Sequence, residues 1–340
     1  MDLESRNWTW TVLATNADHF SDFSPYVPSI NDEGRVAFQA ALEAGGTGVF
    51  VSNGRDVMAV ALSTDPGSPV ERFASHPDLD ARASLSIYAT LQGGEAALVL
   101  IDAERGLQAI RPLAPAESIG PLGPTMNDRQ EVAVRAVGRS GQAFTQIWRR
   151  DTWETIAAAG GSIAGFEGLP VINQRGAIVY RANLTDGQQG LFLQHDGEPR
   201  RIAATGPAFS ELGRFPILND LGQVAFAARQ ASGGWGIYLQ DHDERHCLVN
   251  AGSQFESLRG VLINNAGLVA FYGTPVGGQL GIYAGSDEPQ RLLGRGDSLF
   301  GATVTDFALN PVSVNEHGQL AVRVALNDGR QFILRGDRAD

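Results

Sequence analysis

The sequence has almost no cysteine, few charged residues and no long apolar run. Cys247 is the only cysteine among 340 residues, which excludes an internal disulfide framework and a cysteine-based zinc site. Charged residues make up 19% of the chain, and no apolar stretch reaches the roughly 20 residues that span a bilayer. The opening residues MDLESRNWTWTV also lack the apolar core of a signal peptide. We therefore expect a soluble, cytoplasmic chain, or an exported one whose signal peptide has been removed.

Positive charge is scarce. Lysine and arginine together number 26 against 38 acidic residues, and the formal net charge is −12. Proteins that bind nucleic acid or anionic membranes without a dedicated pocket need a basic surface. We therefore expect neither nucleic acid nor membrane as a partner, and we expect a monomer.

Familiar catalytic and cofactor motifs are absent as well. The sequence contains no Gly-x-Ser-x-Gly elbow, P-loop, His-Glu-x-x-His helix or dinucleotide-binding glycine fingerprint. Its many Asn-Asp and Asp-Gly pairs lack the ladder and terminal glutamate of a calcium loop, and turn formation explains them better. We expect no metal and no cofactor.

What the sequence does contain is a tandem repeat. The motif Asn-x-x-Gly-x-x-Ala-Phe is intact at Asn31–Phe38, Asn219–Phe226 and Asn264–Phe271. Looser copies centre on Asn127, Asn173 and Asn315, and a degenerate copy without the glycine centres on Asp80. The anchors 31, 80, 127, 173, 219, 264 and 315 step by 49, 47, 46, 46, 45 and 51 residues. This period is close to the roughly 40–50 residues of a propeller blade.

Each repeat predicts four strands. The Asn-x-x-Gly segment is a tight turn between two strands, since Asn and Gly tolerate positive φ. A second strand with alternating apolar residues, a Gly-initiated third strand and an outer fourth strand follow. The sequence therefore predicts an all-β fold, a seven-bladed β-propeller with four antiparallel strands per blade, forming one domain over residues 1–340. The expected blades are 20–63, 70–114, 117–160, 165–206, 209–252, 255–297 and 304–336.

The last repeat supplies only three strands, ending at Gln331–Leu334. The segment Trp10–Asn16 matches the outer-strand pattern of Arg201–Gly206. We therefore predict that a closing strand at 8–16 completes the final blade. An open solenoid would leave that strand unpaired and exposed.

The intact motif copies resemble a bacterial tandem-repeat family that is named for this motif. Its members are β-propellers without an assigned function for the most part, and many are exported and surface-anchored. The resemblance implies the fold over nearly the whole chain. It carries no catalytic residues, and the chain departs from many relatives because it shows no sorting signal.

The seven copies also show which positions the fold leaves free to vary. If the turn joins the two inner strands, the residue five before each anchor pairs with the residue eight after it. Five of these seven pairs hold one arginine, and three hold a tyrosine. The pairs are Tyr26/Gln39, Ser75/Tyr88, Leu122/Arg135, Gly168/Arg181, Arg214/Ala227, Arg259/Tyr272 and Asn310/Arg323.

These pairs should lie at the end of the inner hairpins opposite the turns, near one mouth of the central channel. Arginine's planar fork suits carboxylate or phosphate, and tyrosine supplies amphipathic walls. We therefore predict a ligand site there. Its expected residues are Tyr26, Tyr88, Arg135, Arg181, Arg214, Arg259, Tyr272, Asn310 and Arg323.

A ring of ion pairs between neighbouring blades would also explain why five of the seven pairs hold an arginine, and it would need no ligand. The acidic residues that could take part in it are Glu71, Glu117, Glu167, Glu211 and Glu256. The sequence leaves both readings open.

Candidate catalytic groups are weaker. His19 and His76 lie where the chain enters inner strands, and either could act with Tyr26 as an acid or base. A satisfied structural histidine is the alternative for each.

Two classes of function remain open. One is binding of an anionic or polyoxygenated small molecule, with hydrolase, lyase, or cyclase and isomerase chemistry as possible extensions. The other is a non-catalytic role, either as a scaffold for a protein or glycan partner or as a purely structural surface protein.

Overall fold

The computed structural model describes residues 8–112, 116–119, 122–138 and 141–338. Within these ranges the chain is built from 33 strands and one short 3₁₀ helix, Pro311–Ser313. No helix of the described residues is long and apolar enough to cross a bilayer. The strands form seven antiparallel sheets arranged as a propeller, which confirms the predicted fold class.

The first three blades each begin with a split inner strand. The first strand, β1, is Trp8–Thr15 and lies outside blade 1. Blade 1 comprises β2 Phe20–Asp22, β3 Ser29–Ile30, β4 Val36–Leu42, β5 Thr47–Ser52 and β6 Val57–Leu62. Blade 2 comprises β7 Val70–Phe73, β8 Asp78–Leu79, β9 Ser84–Leu91, β10 Ala96–Asp102 and β11 Gly106–Pro112. Blade 3 comprises β12 Ala116–Ile119, β13 Thr125–Met126, β14 Val132–Gly138, β15 Ala143–Arg149 and β16 Thr152–Ala158.

Among the remaining blades, blade 5 also has a split inner strand, whereas the inner strand is continuous in blades 4 and 6. Blade 4 comprises β17 Ile163–Ile172, β18 Ile178–Leu184, β19 Gln189–Gln194 and β20 Arg200–Ala204. Blade 5 comprises β21 Phe209–Leu212, β22 Ile217–Leu218, β23 Val224–Gln230, β24 Trp235–Asp241 and β25 Glu244–Asn250. Blade 6 comprises β26 Phe255–Ile263, β27 Val269–Pro275, β28 Gly281–Ala284 and β29 Gln290–Gly294. The short β30 Ser298–Leu299 leads into blade 7, which comprises β31 Ala302–Ala308, β32 Leu320–Leu326 and β33 Gln331–Arg338.

The N-terminal strand closes the ring. β1 lies antiparallel to β33, from the pair Trp8 and Arg338 to the pair Thr15 and Phe332. It is therefore the outer strand of blade 7, in the order β1-β33-β32-β31, and the predicted closure is confirmed. Because the first and last strands share one sheet, the ring cannot open without breaking that ladder.

In the three blades with an intact motif, the phenylalanine of the motif lies in the core of the blade. Phe38, Phe226 and Phe271 are fully buried. Each stacks on an aromatic ring of the third strand, with centroids 5.5 to 5.8 Å apart. A further aromatic ring from the first strand meets this stack edge-on in these blades, as Phe209 does at Phe226. Three adjacent strands are thus joined by one aromatic cluster.

The motif's asparagine joins neighbouring blades around the axis. Its Oδ1 accepts the N–H four residues on, as Asn31 does from Arg35 at 3.0 Å, and so holds its own turn. Its side-chain amide donates to the carbonyl of the next anchor, as Asn31 does to Asp80 at 3.0 Å. Six such bonds, of 2.9 to 3.5 Å, run between anchors of the described residues. They start at Asn31, Asn127, Asn173, Asn219, Asn264 and Asn315.

A second ring lies beside the first. The residue after each anchor donates its N–H to the side chain of its counterpart in the next blade, as Gln174 does to Asp220 at 2.8 Å. Six bonds of this kind measure 2.8 to 2.9 Å. Both rings are interrupted at blade 2, because Asp80 has no amide to donate and Ala81 has no side-chain acceptor. Among the described residues, these contacts are therefore missing at the degenerate copy.

The inner strands carry irregularities that alter the predicted pairing. Arg259 does pair with Tyr272 as expected. In blade 4, however, Arg181 pairs with Glu167 and not Gly168, and in blade 7 Arg323 pairs with Ala308 and not Asn310. The physical reason is a register shift in the inner strand, such as the one between Glu167 and Val171.

Candidate functional site

Small-molecule sites are cavities of roughly 300–1,000 Å³, and a cavity within that range opens at one mouth of the central channel. This mouth cavity, about 880 Å³, lies at the end of the inner hairpins opposite the Asn-x-x-Gly turns. It draws its walls from blades 1, 2, 3, 5, 6 and 7. The sequence-predicted residues that line it are Tyr26, His76, Arg214, Arg259, Tyr272 and Asn310.

Arg259 lies on the edge of the cavity against an aromatic wall. Its guanidinium is 5.7 Å from the ring centroid of Tyr272, which in turn stacks on Phe307 at 5.8 Å. The side chain of Arg259 is exposed, and no carboxylate of the described residues forms an ion pair with it. Its charge is therefore available to a ligand. Gly260, at φ +57°, permits the arrangement because a Cβ there would lie 2.7 Å from the Tyr272 ring.

Tyr272 serves as a wall and not as an acid or base. Its hydroxyl donates to the carbonyl of Leu309 at 2.8 Å and accepts the N–H of the same residue at 2.7 Å. Burial raises the pKa of this phenol to about 12. The hydroxyl is fully used in holding the segment before the 3₁₀ helix.

Arg214 is shared between the cavity and an ion pair. Its Nε lies 3.1 Å from Oε2 of Glu167, yet its side chain stays 72% exposed. Glu167 also pairs with Arg181 at 2.8 Å. Burial of Glu167 works against ionisation, but the Asn183 amide and the two guanidinium charges hold its pKa below the usual range. The pair links blades 4 and 5, and the outer nitrogens of Arg214 remain open to solvent.

His76 and Asn310 form a polar spot in the floor of the cavity. The His76 ring is buried, and its Nδ1 accepts the N–H of Gly123 at 3.0 Å. The Asn310 amide lies 3.1 to 3.2 Å from the two ring nitrogens. Burial lowers the pKa of His76 to about 4, so the ring is neutral near pH 7. These contacts favour a positioning role for His76.

The rest of the wall is apolar, and sequence reasoning missed it. Phe215, Trp235, Leu280 and Leu122 are half-buried and line the cavity. Trp235 and Leu280 immediately precede the glycine that starts the third strand. A comparison of the copies at this position could have found them.

At that position blades 1, 4 and 7 carry a polar side chain that joins blades, whereas blades 2 and 3 carry Ala96 and Ala143. Thr47, Gln189 and Gln331 each accept an N–H from the first strand of the next blade, at 2.8 to 3.1 Å. Trp235 and Leu280 have no acceptor to offer there. Blades 5 and 6 therefore give up an interblade bond and gain apolar surface facing the cavity.

The other predicted site residues lie away from the cavity lining. Tyr88 is buried in the core between blades 2 and 3, and His19 is exposed in the turn before β2. Arg135 donates to the carbonyl of Phe166 at 3.2 Å. Arg181 is buried in its pair with Glu167, and Arg323 pairs with Asp306 at 2.9 Å.

The ion-pair alternative accounts for part of the arginine column. Of the acidic residues considered, Glu167 forms ion pairs with two of the predicted arginines. Glu211 lines the cavity, and Glu256 accepts the N–H of Gly277 at 3.1 Å. The side chain of Glu117 lies outside the described residues.

The opposite end of the channel has the reverse charge. The second hydrogen-bonded ring contributes the carboxylates Asp32, Asp128, Asp220 and Glu316. Burial, with the charges of Asp32 and Asp220, raises the pKa of Glu316. No cluster of three or more metal-ligating side chains occurs in the described part of the chain. Within the central channel, an anion is therefore favoured at the arginine mouth and disfavoured at the mouth that carries these carboxylates.

Comparisons with known proteins identify the fold and nothing closer. No family model and no curated protein sequence match the chain. The oligogalacturonate lyase structure from Vibrio parahaemolyticus is similar, with a TM-score of 0.63 and 13% identity over 97% of this chain and 98% of that one.

Two further similar structures come from peptidases. The β-propeller domain of the Trilobed protease from Pyrococcus furiosus has a TM-score of 0.55 and 13% identity over 78% and 80% of the two chains. Prolyl oligopeptidase B from Galerina marginata has a TM-score of 0.59 and 10% identity, over 90% of this chain and 47% of that one. The Trilobed domain has an open velcro topology, whereas β1 closes the ring here. At these identities the likeness shows the propeller fold alone.

Proposed function

We propose that this propeller binds a small anionic molecule with an apolar or polyoxygenated body in the mouth cavity. Arg259 and Arg214 hold the anionic group, and the walls formed by Trp235, Phe215 and Tyr272 pack against the body. The observation that carries the proposal is an exposed Arg259, without a carboxylate partner in the described ranges, on the edge of an 880 Å³ cavity.

The competing ion-pair reading is weaker at these two positions than elsewhere. Arg181 and Arg323 are buried against Glu167 and Asp306, so their charges are already neutralised. Arg214 shares Glu167 with Arg181, and Arg259 contacts an aromatic face. When a ligand carboxylate displaces water from an exposed arginine, the two groups can form a bidentate, charge-assisted pair of hydrogen bonds.

Binding is better supported than catalysis. The hydroxyl of Tyr272 and the ring nitrogens of His76 already have partners. Burial raises the pKa of Tyr26, although the charge of Arg72 opposes the shift. The two arginines could stabilise negative charge in a hydrolase, lyase or isomerase reaction, but an unoccupied base of suitable pKa is required as well.

The test is a thermal-shift and calorimetric screen with matched ligands. The set comprises aromatic and aliphatic monocarboxylates, galacturonate and digalacturonate, their neutral sugar counterparts, and phosphates. Galacturonates belong in the set because they join a carboxylate to a polyoxygenated ring, and the Vibrio lyase is named for such a substrate. We expect a carboxylate to raise the midpoint temperature and its neutral counterpart to have no effect.

Variants then assign the site. Arg259→Ala and Arg214→Ala should each weaken binding about tenfold or more while the protein stays folded, since charged hydrogen bonds contribute roughly 1.5–3 kcal/mol. Arg55→Ala, in an exposed loop of the other face, is the matched control. If no anion binds, or if it binds all three variants equally, the proposal is wrong and a non-catalytic interaction scaffold becomes the better reading.

A further inference from the structure

A second arginine-rich site lies on the turn face, the end of the propeller that carries the Asn-x-x-Gly turns. A groove of about 440 Å³ opens there between blades 2 and 3. We name it the arginine groove after the four side chains that line it, Arg105, Arg111, Arg129 and Arg150. It is separate from the mouth cavity, with which it shares no lining residue.

We propose that the arginine groove binds the phosphate group of a small phosphate ester. Its lining holds four arginines against the carboxylates Asp102 and Asp151, in a chain whose formal net charge is −12. A phosphate monoester offers close to two negative charges and three acceptor oxygens, which several guanidinium groups can share. The volume suits a small molecule.

Two of the four guanidinium groups have no competing ion pair with any described residue. Arg105 and Arg150 are exposed, and neither forms a salt bridge within the described ranges. Arg129, by contrast, is held by Glu131 at 2.6 Å. Arg105 and Arg150 are therefore the groups that an anion would engage first.

Arg111 also lines the groove, and its guanidinium is held against an aromatic ring. Its guanidinium lies 5.0 Å from the centroid of the Trp148 ring, and its Nη2 is 3.4 Å from Oδ1 of Asp151. Its buried Nε has no hydrogen-bond acceptor in the described residues. Stacking fixes the plane of this guanidinium, and the long contact to the exposed Asp151 leaves it donor capacity for an oxyanion.

Backbone strain is concentrated at the same place. Among the described residues, six that are not glycine have positive φ, and three of them line the groove: Gln130 at +58°, Arg150 at +49° and Asp151 at +59°. A fourth, Ala83 at +64°, directly precedes Ser84 of the lining. Side chains in this conformation are unfavourable, and such strain gathers at functional sites.

The residue at the end of the anchor turn can be compared across the seven blades. Five blades place glycine at the end of the anchor turn, and the two blades that do not are blades 2 and 3, where Ala83 and Gln130 stand instead. These are the two blades that flank the arginine groove. The anchor turn therefore lacks its usual glycine in the two blades whose side chains line the arginine groove.

The experiment uses calorimetry and phosphorus NMR with inorganic phosphate, AMP and glucose 6-phosphate. It is performed on the full chain carrying Arg214→Ala and Arg259→Ala, so that anions in the mouth cavity do not contribute. If only inorganic phosphate binds, the groove is a site for a free anion. If an ester binds more tightly than inorganic phosphate, the organic group is part of the ligand. Either result supports a phosphate site.

Two variants assign that binding to the groove. Arg150→Gly removes both the guanidinium and the positive-φ side chain, so we expect about tenfold weaker phosphate binding together with a higher midpoint temperature. Arg105→Ala should weaken binding without the thermal gain, and Arg55→Ala should change neither. The proposal is overturned if none of the three probes binds, or if Arg150→Gly and Arg105→Ala bind as tightly as Arg55→Ala. Its failure leaves the mouth-cavity proposal untouched, because that site is tested in the unmodified chain.

Discussion

Asn31 donates its side-chain amide to the carbonyl of Asp80 at 3.0 Å, but Asp80 has no amide with which to continue the ring to Asn127. Oδ1 of Asp80 accepts the N–H groups of Arg82 and Ser84, as an asparagine there would. Its Oδ2 is buried without a hydrogen-bond partner in the described residues, at the position where the other anchors carry their amide.

The first prediction is that Asp80→Asn stabilises the protein. The new amide should donate to the carbonyl of Asn127, as at the other six anchors, and one added buried hydrogen bond contributes about 1 kcal/mol. The measurement is the free energy of unfolding in urea at pH 5 and pH 8.

The gain should be larger at pH 8. Burial raises the pKa of Asp80, with hydrogen bonds to Ser84 and Arg82 opposing the shift. A raised acid pKa favours the folded state below the pKa of the unfolded chain, and that contribution is lost as pH rises through the folded value. A smaller gain at pH 8 than at pH 5, or a loss of stability at both, would contradict the ring interpretation. Ala83→Ser is a suitable control because it leaves Asp80 unchanged.

The second prediction concerns Asp78, two residues earlier. Burial raises its pKa to about 7, although the N–H groups of Met126 and Leu79 bond to its carboxyl. Its contribution to stability should therefore be complete below about pH 4 and decline as pH rises through about 7. We expect the stability difference between the wild type and Asp78→Asn to be greatest at acid pH and to shrink by pH 8. A difference that is constant with pH would show that Asp78 stays ionised.

The third prediction tests the close approach of blades 4 and 5. Gly168 has φ +70°, and a Cβ there would overlap the carbonyl oxygen of Arg214. Gly168→Ala should therefore displace the Arg214 backbone and cost about 1–3 kcal/mol of stability, measured by urea unfolding. Gly165→Ala, in the same strand with open space around it, is the control and should change stability little. Equal effects of the two substitutions would show that the contact does not fix the blades.

The fourth prediction separates function from packing at Trp235. Trp235→Gln supplies the acceptor that Gln189 provides one blade earlier, at 2.8 Å from the N–H of Leu212. It also removes a large apolar side chain from the wall of the mouth cavity. We expect thermal stability to be kept within about 2 °C, since one bond is gained as apolar contact is lost, and ligand binding to be weakened. A large drop in the midpoint temperature would show that Trp235 is needed for packing.

The repeat made most of the scaffold predictable. The anchors, the alternating second strands and the unmatched segment at 8–16 were enough for seven blades and their closure. Because each blade solves the same packing problem, the positions that stay alike are core, and those that vary are free of that constraint. The varying arginine and tyrosine positions lie at one end of the inner hairpins, and the sequence therefore indicated the end at which the mouth cavity lies.

The site itself was predictable only in part. The rule that pairs the residue five before each anchor with the residue eight after it grouped Arg181 and Arg323 with Arg259. In the structure, inner-strand register shifts set Arg181 opposite Glu167, and Asp306 forms an ion pair with Arg323. The alternation of apolar and polar residues along a strand does not reveal such register shifts. The apolar walls at Trp235 and Leu280 could have been found in the sequence, because the equivalent position is polar in Thr47 and Gln189.

The sequence by itself determined the number of blades, the ring of anchor turns and the strand that closes it, because these follow from local turn chemistry and periodicity. Only the tertiary structure decided which arginines are neutralised and which remain open. That choice depends on a few ångströms between side chains of neighbouring blades, and it left Arg259 beside Tyr272 with its charge unpaired in the described residues.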